Sequence, residues 1–346
     1  MLHTDDELIF HISLARITFL KYSEKVFLSK NIDNSSILSL LSIEEIEKLL
    51  GRDISKTAVW DGRKNLALAK RAFQFCKNLG IKILLSEERD YPELLRQISD
   101  PPYLLFCRGD ERLLGGRSVS VVGTRRLTTE GKRAASEFAY AAATDGCNVV
   151  SGLANGADGY AHQGAVDAYF DYAEKGLELE SLGRTIAVLP SAIDDVVPAT
   201  HKRLATQILQ SGGLLVSEYE PGMGMANWHF VARNRIIAGL SPATVVVEAP
   251  AGSGALITAD FAVEMNRDLM FHKASFGELA KKIAETSNAA LQKEHALGNV
   301  SKYKLENRPE KFLEAGAPVI SDYKDYKKCL AEAPGTRNPV QGELFL

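Results

Sequence analysis

The feature that most constrains the fold is residues 118–126, where an apolar run ends in a glycine followed by two arginines. The run Ser118-Val-Ser-Val-Val122 predicts a buried strand, Gly123 and Thr124 a tight turn, and the residues from about Thr129 a helix. A strand, a glycine turn and a helix N-terminus together form an anion site in α/β proteins, because free backbone N–H groups and the helix dipole face the ligand. Arg125 and Arg126 lie in this turn, so the sequence predicts a site for a polyanion. The alternative is a solvated turn with surface arginines.

Length and composition narrow the possible classes of protein. A chain of 346 residues is expected to form two or three domains, and 45% hydrophobic and 25% charged residues are typical of a globular protein. A net charge of −3 excludes a protein coated in basic residues, so any nucleic-acid site must be a local groove. The four cysteines have no zinc spacing, and we predict no metal site. The chain shows no signal peptide and no apolar run of membrane length, so we expect a cytoplasmic protein that does not contact the membrane.

The pattern of apolar residues changes near Ile81. Residues 1–79 show helical periodicity and predict a small helical domain, with Ser42 and Glu45 forming a capping box. From 80 to 286, strands and helices alternate, and the strands are apolar throughout. This pattern predicts an extended Rossmann-like, doubly wound, mostly parallel sheet. Residues 287–346 predict a polar, partly disordered extension without a clear winged-helix domain.

Three further loops are expected at the same edge of this sheet. Ser151, Gly152, Asn155 and Gly156 form the first, and its small residues leave backbone N–H groups free for an anion. Asp158 and His162 follow on one helix face, either as an acid–base pair or as a helix cap beside a satisfied histidine.

The second loop leads into a helix that opens with Arg233, Asn234 and Arg235. Two arginines in a first turn oppose the helix dipole and need anionic partners. Glu218 and Glu248 end neighbouring strands, so we predict that one arginine forms an ion pair with one of them and that the other faces the groove. Phe230, with Trp228 beside it, offers a face for stacking a base, or alternatively anchors the loop to the core.

The third loop contains Ser253 and Gly254 and leads into a helix with Thr258. It suits phosphate contact but lacks the lysine of a P-loop. Lys132 adds positive charge near the first turn. No motif of a catalytic nucleophile or metal centre accompanies these loops, which favours a binding site over an enzyme.

Taken together, the motifs of residues 81–275 resemble those of the DNA-processing protein A family, also called DprA or Smf. The matching strings are Val121-Val-Gly-Thr-Arg125, Ser151-Gly-Leu-Ala with Gly156 and Asp158, Ala161-His162, Arg184-Thr-Ile-Ala-Val188, Ser217-Glu-Tyr219 with Pro221-Gly222, Arg233-Asn-Arg-Ile-Ile-Ala-Gly-Leu-Ser241, Val247-Glu248, and Ser253-Gly254 with Leu256-Ile-Thr-Ala259.

The resemblance implies a Rossmann-like domain that binds single-stranded DNA, protects incoming strands and passes them to a RecA-type recombinase during natural transformation. It further implies a homodimer, no cofactor and no enzymatic activity. A small helical domain in front, similar to SAM or helix-hairpin-helix domains, fits residues 1–79.

The sequence departs from the family pattern in four places. Asn155 stands where the family has Arg or Lys, an acidic insert occupies 169–183, and the last strand continues into Phe271-His-Lys-Ala274 instead of Val-Pro-Gly. The residues after this strand show too little apolar periodicity for the winged-helix domain that often follows the sheet domain in this family.

Two other functions share this kind of fold. Nucleotide phosphoribohydrolases resemble the chain around the glycine loops, but they carry Pro-Gly-Gly-x-Gly-Thr-x-x-Glu where residues 250–258 lack the glutamate. A nucleotide-sensing module with a small ligand in the same pocket is the other alternative.

The end of the chain carries a short motif of its own. Gln341, Leu344 and Phe345 resemble the Q-x-x-L-F peptide with which bacterial proteins bind the replication sliding clamp. The alternative is a tail that folds back on its own domain or on a dimer mate.

Overall fold

Residues 3–332 are described by a computed structural model, and they form helices at the N-terminus followed by one α/β sheet domain. The helices are α1 (Asp5–Ala15), α2 (Tyr22–Asn31), α3 (Ser35–Leu38), α4 (Ile43–Leu50), α5 (Gly62–Leu79), α6 (Glu93–Arg96), α7 (Thr129–Thr144), α8 (Ala157–Glu174), α9 (Lys202–Gln210), α10 (His229–Gly239), α11 (Gly254–Glu264), α12 (Glu278–Ala296), α13 (Lys302–Glu306), α14 (Pro309–Glu314) and α15 (Tyr323–Ala331). The strands are β1 (Lys82–Leu85), β2 (Leu104–Gly109), β3 (Ser118–Val122), β4 (Asn148–Ser151), β5 (Thr185–Val188), β6 (Leu214–Ser217), β7 (Ala243–Val246), β8 (Asp268–His272) and β9 (Val319–Ile320).

The strands form a single sheet in the order β1-β2-β6-β5-β4-β3-β7-β8-β9. β2 pairs antiparallel with β1 and with β6, and every other neighbouring pair is parallel. The predicted fold class, an extended Rossmann-like and mostly parallel sheet preceded by helices, is confirmed.

Helices cover both faces of the sheet because its central strands are apolar on both sides. Val119 and Val121 of β3 pack with the alanine-rich helices α7 and α8, whereas Val122 packs with α10 and α11 on the other face. The small alanine side chains let α7 and α8 lie close together. In the acidic insert 169–183, α8 extends to Glu174 and turns follow it.

The N-terminal helices share a core with the sheet. Phe10 and Leu14 of α1 belong to the same buried cluster as Leu104 of β2 and Leu189 after β5. The predicted capping box of α4 is confirmed: the Ser42 hydroxyl accepts from the Glu45 N–H, and the Glu45 carboxylate accepts from the Ser42 N–H.

The C-terminal part extends the sheet. The predicted boundary at 286/287 lies inside α12, β9 pairs with β8 beyond it, and Tyr323 and Tyr326 of α15 pack edge-on against Phe138 of α7. The expected disorder of the last dozen residues, and the clamp motif with Gln341, Leu344 and Phe345, lie outside the described residues. Within residues 3–332, none of the helices has the length and apolar character needed to cross a bilayer.

The strand order reverses direction at β3. The chain runs from β3 through β4 and β5 to β6 on one side, and then crosses back to β7 on the other side. In such sheets the crossing connections leave on opposite faces and open a crevice at the carboxyl ends of the two strands. A ligand site is therefore expected where β3 and β7 end.

Candidate functional site

A cleft of about 440 Å³ lies at this switch point. Its walls come from the turn after β3, the loop after β7 and the first turns of α10 and α11. The cleft brings together most of the predicted binding residues, namely Gly123, Thr124, Arg125, Arg126, Phe230, Arg233, Asn234, Ser253, Gly254 and Thr258. Strands far apart in sequence thus place these side chains at one edge, as parallel topology requires.

Two exposed arginines stand at the mouth of the cleft. The guanidinium carbon of Arg125 lies 5.4 Å from the centre of the Phe230 ring, a cation–π distance. Within the described chain, neither Arg125 nor Arg126 forms a salt bridge. Their charges are therefore available to an anionic ligand.

Backbone contacts fix the turn that carries the arginines. The Thr124 N–H donates to the Glu248 carbonyl at 2.5 Å, and the Thr124 carbonyl accepts from the Ala157 N–H at 3.2 Å. Gly156 has φ +86°, and a Cβ there would collide with the Thr124 carbonyl. Gly156 therefore allows the start of α8 to pack against the turn.

The two arginines of α10 have different surroundings. Arg235 forms a two-bond ion pair with Glu218, and its Nε donates to the Asp100 carbonyl at 2.9 Å. Burial by itself would lower the pKa of Arg235, but the neighbouring carboxylates outweigh it and the pKa is raised. Arg235 does not line the cleft, and we expect its role to be structural.

Arg233 lies on the floor of the cleft and is only 4% exposed. Its Nη1 donates to the carbonyls of Gly152 and Val188, both at 2.5 Å, whereas its Nε has no hydrogen-bond partner among the described residues. Burial lowers the pKa of Arg233 to about 10, and the charge of Asp158 opposes that shift. The side chain thus joins α10 to the ends of β4 and β5 through Nη1 and leaves its Nε–H without a partner.

Of the two carboxylates predicted as partners of an α10 arginine, Glu218 forms the ion pair, with Arg235, and Glu248 does not. Glu248 accepts hydrogen bonds from the Thr128 N–H at 2.9 Å and from the Thr128 hydroxyl at 2.5 Å, and its carboxylate packs against Gly131. The strand directs this side chain to the N-terminus of α7, where free N–H groups and the helix dipole stabilise a carboxylate. Burial nevertheless raises the pKa of Glu248.

Internal hydrogen bonds hold the loop after β4 in place. The buried Ser151 hydroxyl donates to the Val121 carbonyl at 2.6 Å, and the Gly152 N–H donates to the Asp158 carboxylate at 3.1 Å. Asn155 is exposed and accepts from the Thr200 hydroxyl at 3.4 Å. Ser151, Gly152 and Asn155 therefore do not line the cleft.

Asp158 and His162 act as supports for that loop. Nε2 of His162 accepts from the Leu153 N–H at 3.2 Å, and its Nδ1 lies 2.6 Å from the Thr185 hydroxyl. Burial raises the pKa of Asp158 and lowers that of His162 to about 3. The structure favours a buried, hydrogen-bonded histidine over an acid–base pair.

The loop after β7 and its helix close the third wall. The Ser253 hydroxyl accepts from the Ala255 N–H at 3.4 Å at the start of α11, and the Asn234 amide donates to the Gly254 carbonyl at 3.3 Å. The exposed Tyr160 of α8 is not among the predicted site residues. Its ring lies outside the cleft, and the ring centre is 5.9 Å from Nζ of the predicted residue Lys132. Across residues 3–332, no cluster of three His, Cys, Asp or Glu side chains is placed to hold a metal.

Comparisons with known proteins agree with this fold. The family described as DNA recombination-mediator protein A matches residues 82–303. Protein Smf of Borreliella burgdorferi is 29% identical over 260 residues, which are 75% of this chain and 77% of that protein. The crystal structure of DNA processing protein A from Streptococcus pneumoniae superposes with a TM-score of 0.62 at 24% identity, covering 95% of this chain and 98% of that one. DNA processing protein A from Helicobacter pylori gives a TM-score of 0.53 at 24% identity, covering 72% and 95%. The chain belongs to the DNA recombination-mediator protein A family.

Proposed function

We propose that this protein binds single-stranded DNA in the cleft at the switch point between β3 and β7. The proposal rests on Arg125 and Arg126. Both are exposed, neither forms a salt bridge to a described residue, and both lie at the mouth of a cleft that contains an aromatic ring. Proteins that bind single strands combine cations for the phosphates with aromatic faces for the bases.

The charge balance of the cleft supports an anionic ligand. Three arginines line it, Arg125, Arg126 and Arg233, against one carboxylate, Asp158, which is buried beneath the loop and already accepts hydrogen bonds from the backbone. The Helicobacter pylori protein with the same fold is described as binding single-stranded DNA, which agrees with the proposal.

The protein acts, in this proposal, as a homodimer in the cytoplasm that protects incoming single strands and delivers them to a RecA-type recombinase. It needs no cofactor and catalyses no reaction of its own. A direct test follows the ATPase activity of such a recombinase on DNA covered by single-strand-binding protein, with and without this chain. A failure to accelerate the onset of activity would contradict the delivery step while leaving DNA binding intact.

The binding step is tested by fluorescence polarisation with labelled dT oligomers and, in parallel, with nucleoside monophosphates. We expect the oligomers to bind and the monophosphates to bind far more weakly. Arg125→Glu should weaken oligomer binding and reduce the slope of log K against log salt by about 0.7, the value for one phosphate contact on a single strand. Tighter binding of a monophosphate than of any oligomer would instead support a nucleotide-binding enzyme or sensor.

A further inference from the structure

A second groove lies beside the cleft, on the other side of the loop that contains Asn155 and Gly156. It measures about 510 Å³ and is formed by the start of α8, by α9 and by the turn that leads into α9. No aspartate or glutamate is among the residues that line it, which include Tyr160, Gln163, His201 and Arg203. The groove therefore offers polar and positive groups without a repelling carboxylate in its walls.

The groove carries the same two kinds of side chain as the cleft. Tyr160 is 38% exposed, and Nζ of Lys132 lies 5.9 Å from the centre of its ring. Arg203 is exposed in the first turn of α9, where the helix dipole makes a cation unfavourable unless an anion is present. Within residues 3–332, neither Lys132 nor Arg203 forms a salt bridge.

The groove adjoins the cleft. The Ala154–Gly156 loop separates them: Ala154 lines the cleft, Gly156 lines the groove, and Asn155 between them contacts Thr200 of the groove wall. A strand leaving the cleft past Arg125 would cross this loop and meet Tyr160 next.

On the basis of the proposed function, we infer that the groove between α8 and α9 holds the continuation of the bound single strand. Tyr160 stacks one base, while Lys132 and Arg203 contact phosphates. These two cations supply the positive charge that Asn155, a neutral side chain, does not supply at the loop between them.

The test compares binding of two dT oligomers, of about 5 and about 16 nucleotides, which span the range of known single-strand site sizes. The short oligomer fills the cleft alone, and the long one reaches the groove. We expect Tyr160→Ala to weaken the long oligomer at least about fivefold and to leave the short one unchanged. Arg203→Glu should reduce the salt slope of the long oligomer by about 0.7 and leave that of the short one unchanged.

Arg71→Glu is the matched control. Arg71 is likewise exposed and lies 5.6 Å from the ring of Phe75, but it belongs to helix α5 of the N-terminal segment. Reversing the charge of Arg71 should change the affinity for neither the short nor the long oligomer. Melting temperatures equal to that of the parent show that the variants are folded.

The outcomes separate the groove from the cleft. If the parent binds the long oligomer and the groove variants bind it equally well, or if they weaken both lengths alike, the groove is not part of the path. If the parent binds neither oligomer, the proposed function fails as well.

Discussion

Arg235 holds Glu218 in a two-bond ion pair, with Nη1 and Nη2 at 2.9 and 2.8 Å from separate carboxylate oxygens. The arginine is on α10, the glutamate follows β6, and the same guanidinium donates to the Asp100 carbonyl before β2. One side chain thus joins three segments behind the cleft. Arg233, two residues earlier, points to the opposite side of the helix and forms the cleft floor.

The Arg235 pair should contribute to stability and not to DNA binding. Arg235→Ala leaves a partly buried carboxylate unpaired and should lower the free energy of unfolding by about 3 kcal/mol or somewhat less, because Glu218 keeps some contact with water. Urea unfolding measures this loss, and oligomer polarisation should show no change. Arg112→Ala, which breaks an exposed two-bond pair with Asp110, is the control and should cost under about 1 kcal/mol. Equal losses in the two variants would contradict the structural role of Arg235.

The contributions of Arg233 and Asp158 to the free energy of unfolding should be coupled. Arg233→Ala leaves the carbonyls of Gly152 and Val188 without this donor and removes the positive charge beside a buried carboxylate, so both stability and DNA affinity should fall. Adding Asp158→Asn removes the isolated charge, and the double variant should be more stable than Arg233→Ala alone. A double-mutant cycle by urea unfolding gives the coupling. Strictly additive losses would show that the two side chains do not interact.

Phe230 and Arg125 should have separable effects on binding. Phe230→Leu removes the aromatic face but no charge, so it should weaken dT binding by about 1–3 kcal/mol and leave the salt dependence unchanged. Arg125→Glu should change the salt dependence itself. The measurement is polarisation at a series of salt concentrations. A salt slope that changes equally in both variants would mean that Phe230 acts only by holding Arg125.

The cleft could be located from the sequence because its parts obey local rules. The valine run before Gly123 and the helix start at Thr128 define one wall, and the carboxyl ends of parallel strands necessarily share an edge. Helical geometry likewise separates Arg233 from Arg235, which lie two residues apart and so on different faces. Helical geometry alone does not say which of the two arginines is directed towards the sheet.

The remaining features depend on contacts between distant parts of the chain. The partner of Glu248 is set by how closely β7 approaches the start of α7, and no pattern around Glu248 encodes that distance. β9 has only two residues and is defined by its pairing with β8, so it leaves no periodic signal. Tyr160 was not predicted because an aromatic residue in an alanine-rich helix is usually part of the core. Only the packing of α7 against α8 shows which face of α8 is buried and that Tyr160 lies outside it.

The contact between Glu248 and α7 predicts an unusual response at Gly131. Replacing a glycine in a helix by alanine ordinarily stabilises a protein by about 0.4–1 kcal/mol. Here the added Cβ would collide with the Glu248 carboxylate, so Gly131→Ala should destabilise. Gly254→Ala, at the start of α11 with open space around the Cβ position, is the matched control and should be neutral or stabilising. Thermal unfolding distinguishes them, and equal stabilisation by both would contradict the placement of Glu248.

The burial of His162 predicts a loss of stability in mild acid. Its pKa is lowered to about 3 in the folded protein, against an ordinary value of 6.5, so between these values the unfolded state binds the proton and the folded state does not. Stability therefore falls as the pH drops below 6.5, and the contribution of this one group at pH 5.5 is about 1.4 kcal/mol.

His162→Gln keeps an acceptor for the Leu153 N–H but cannot titrate. Between pH 7 and 5.5, the free energy of unfolding of the parent should drop by about 1.3 kcal/mol more than that of the variant, because other groups titrate alike in both. Parallel pH profiles would show that His162 binds its proton equally well in the folded and unfolded states, which would contradict its buried, hydrogen-bonded position.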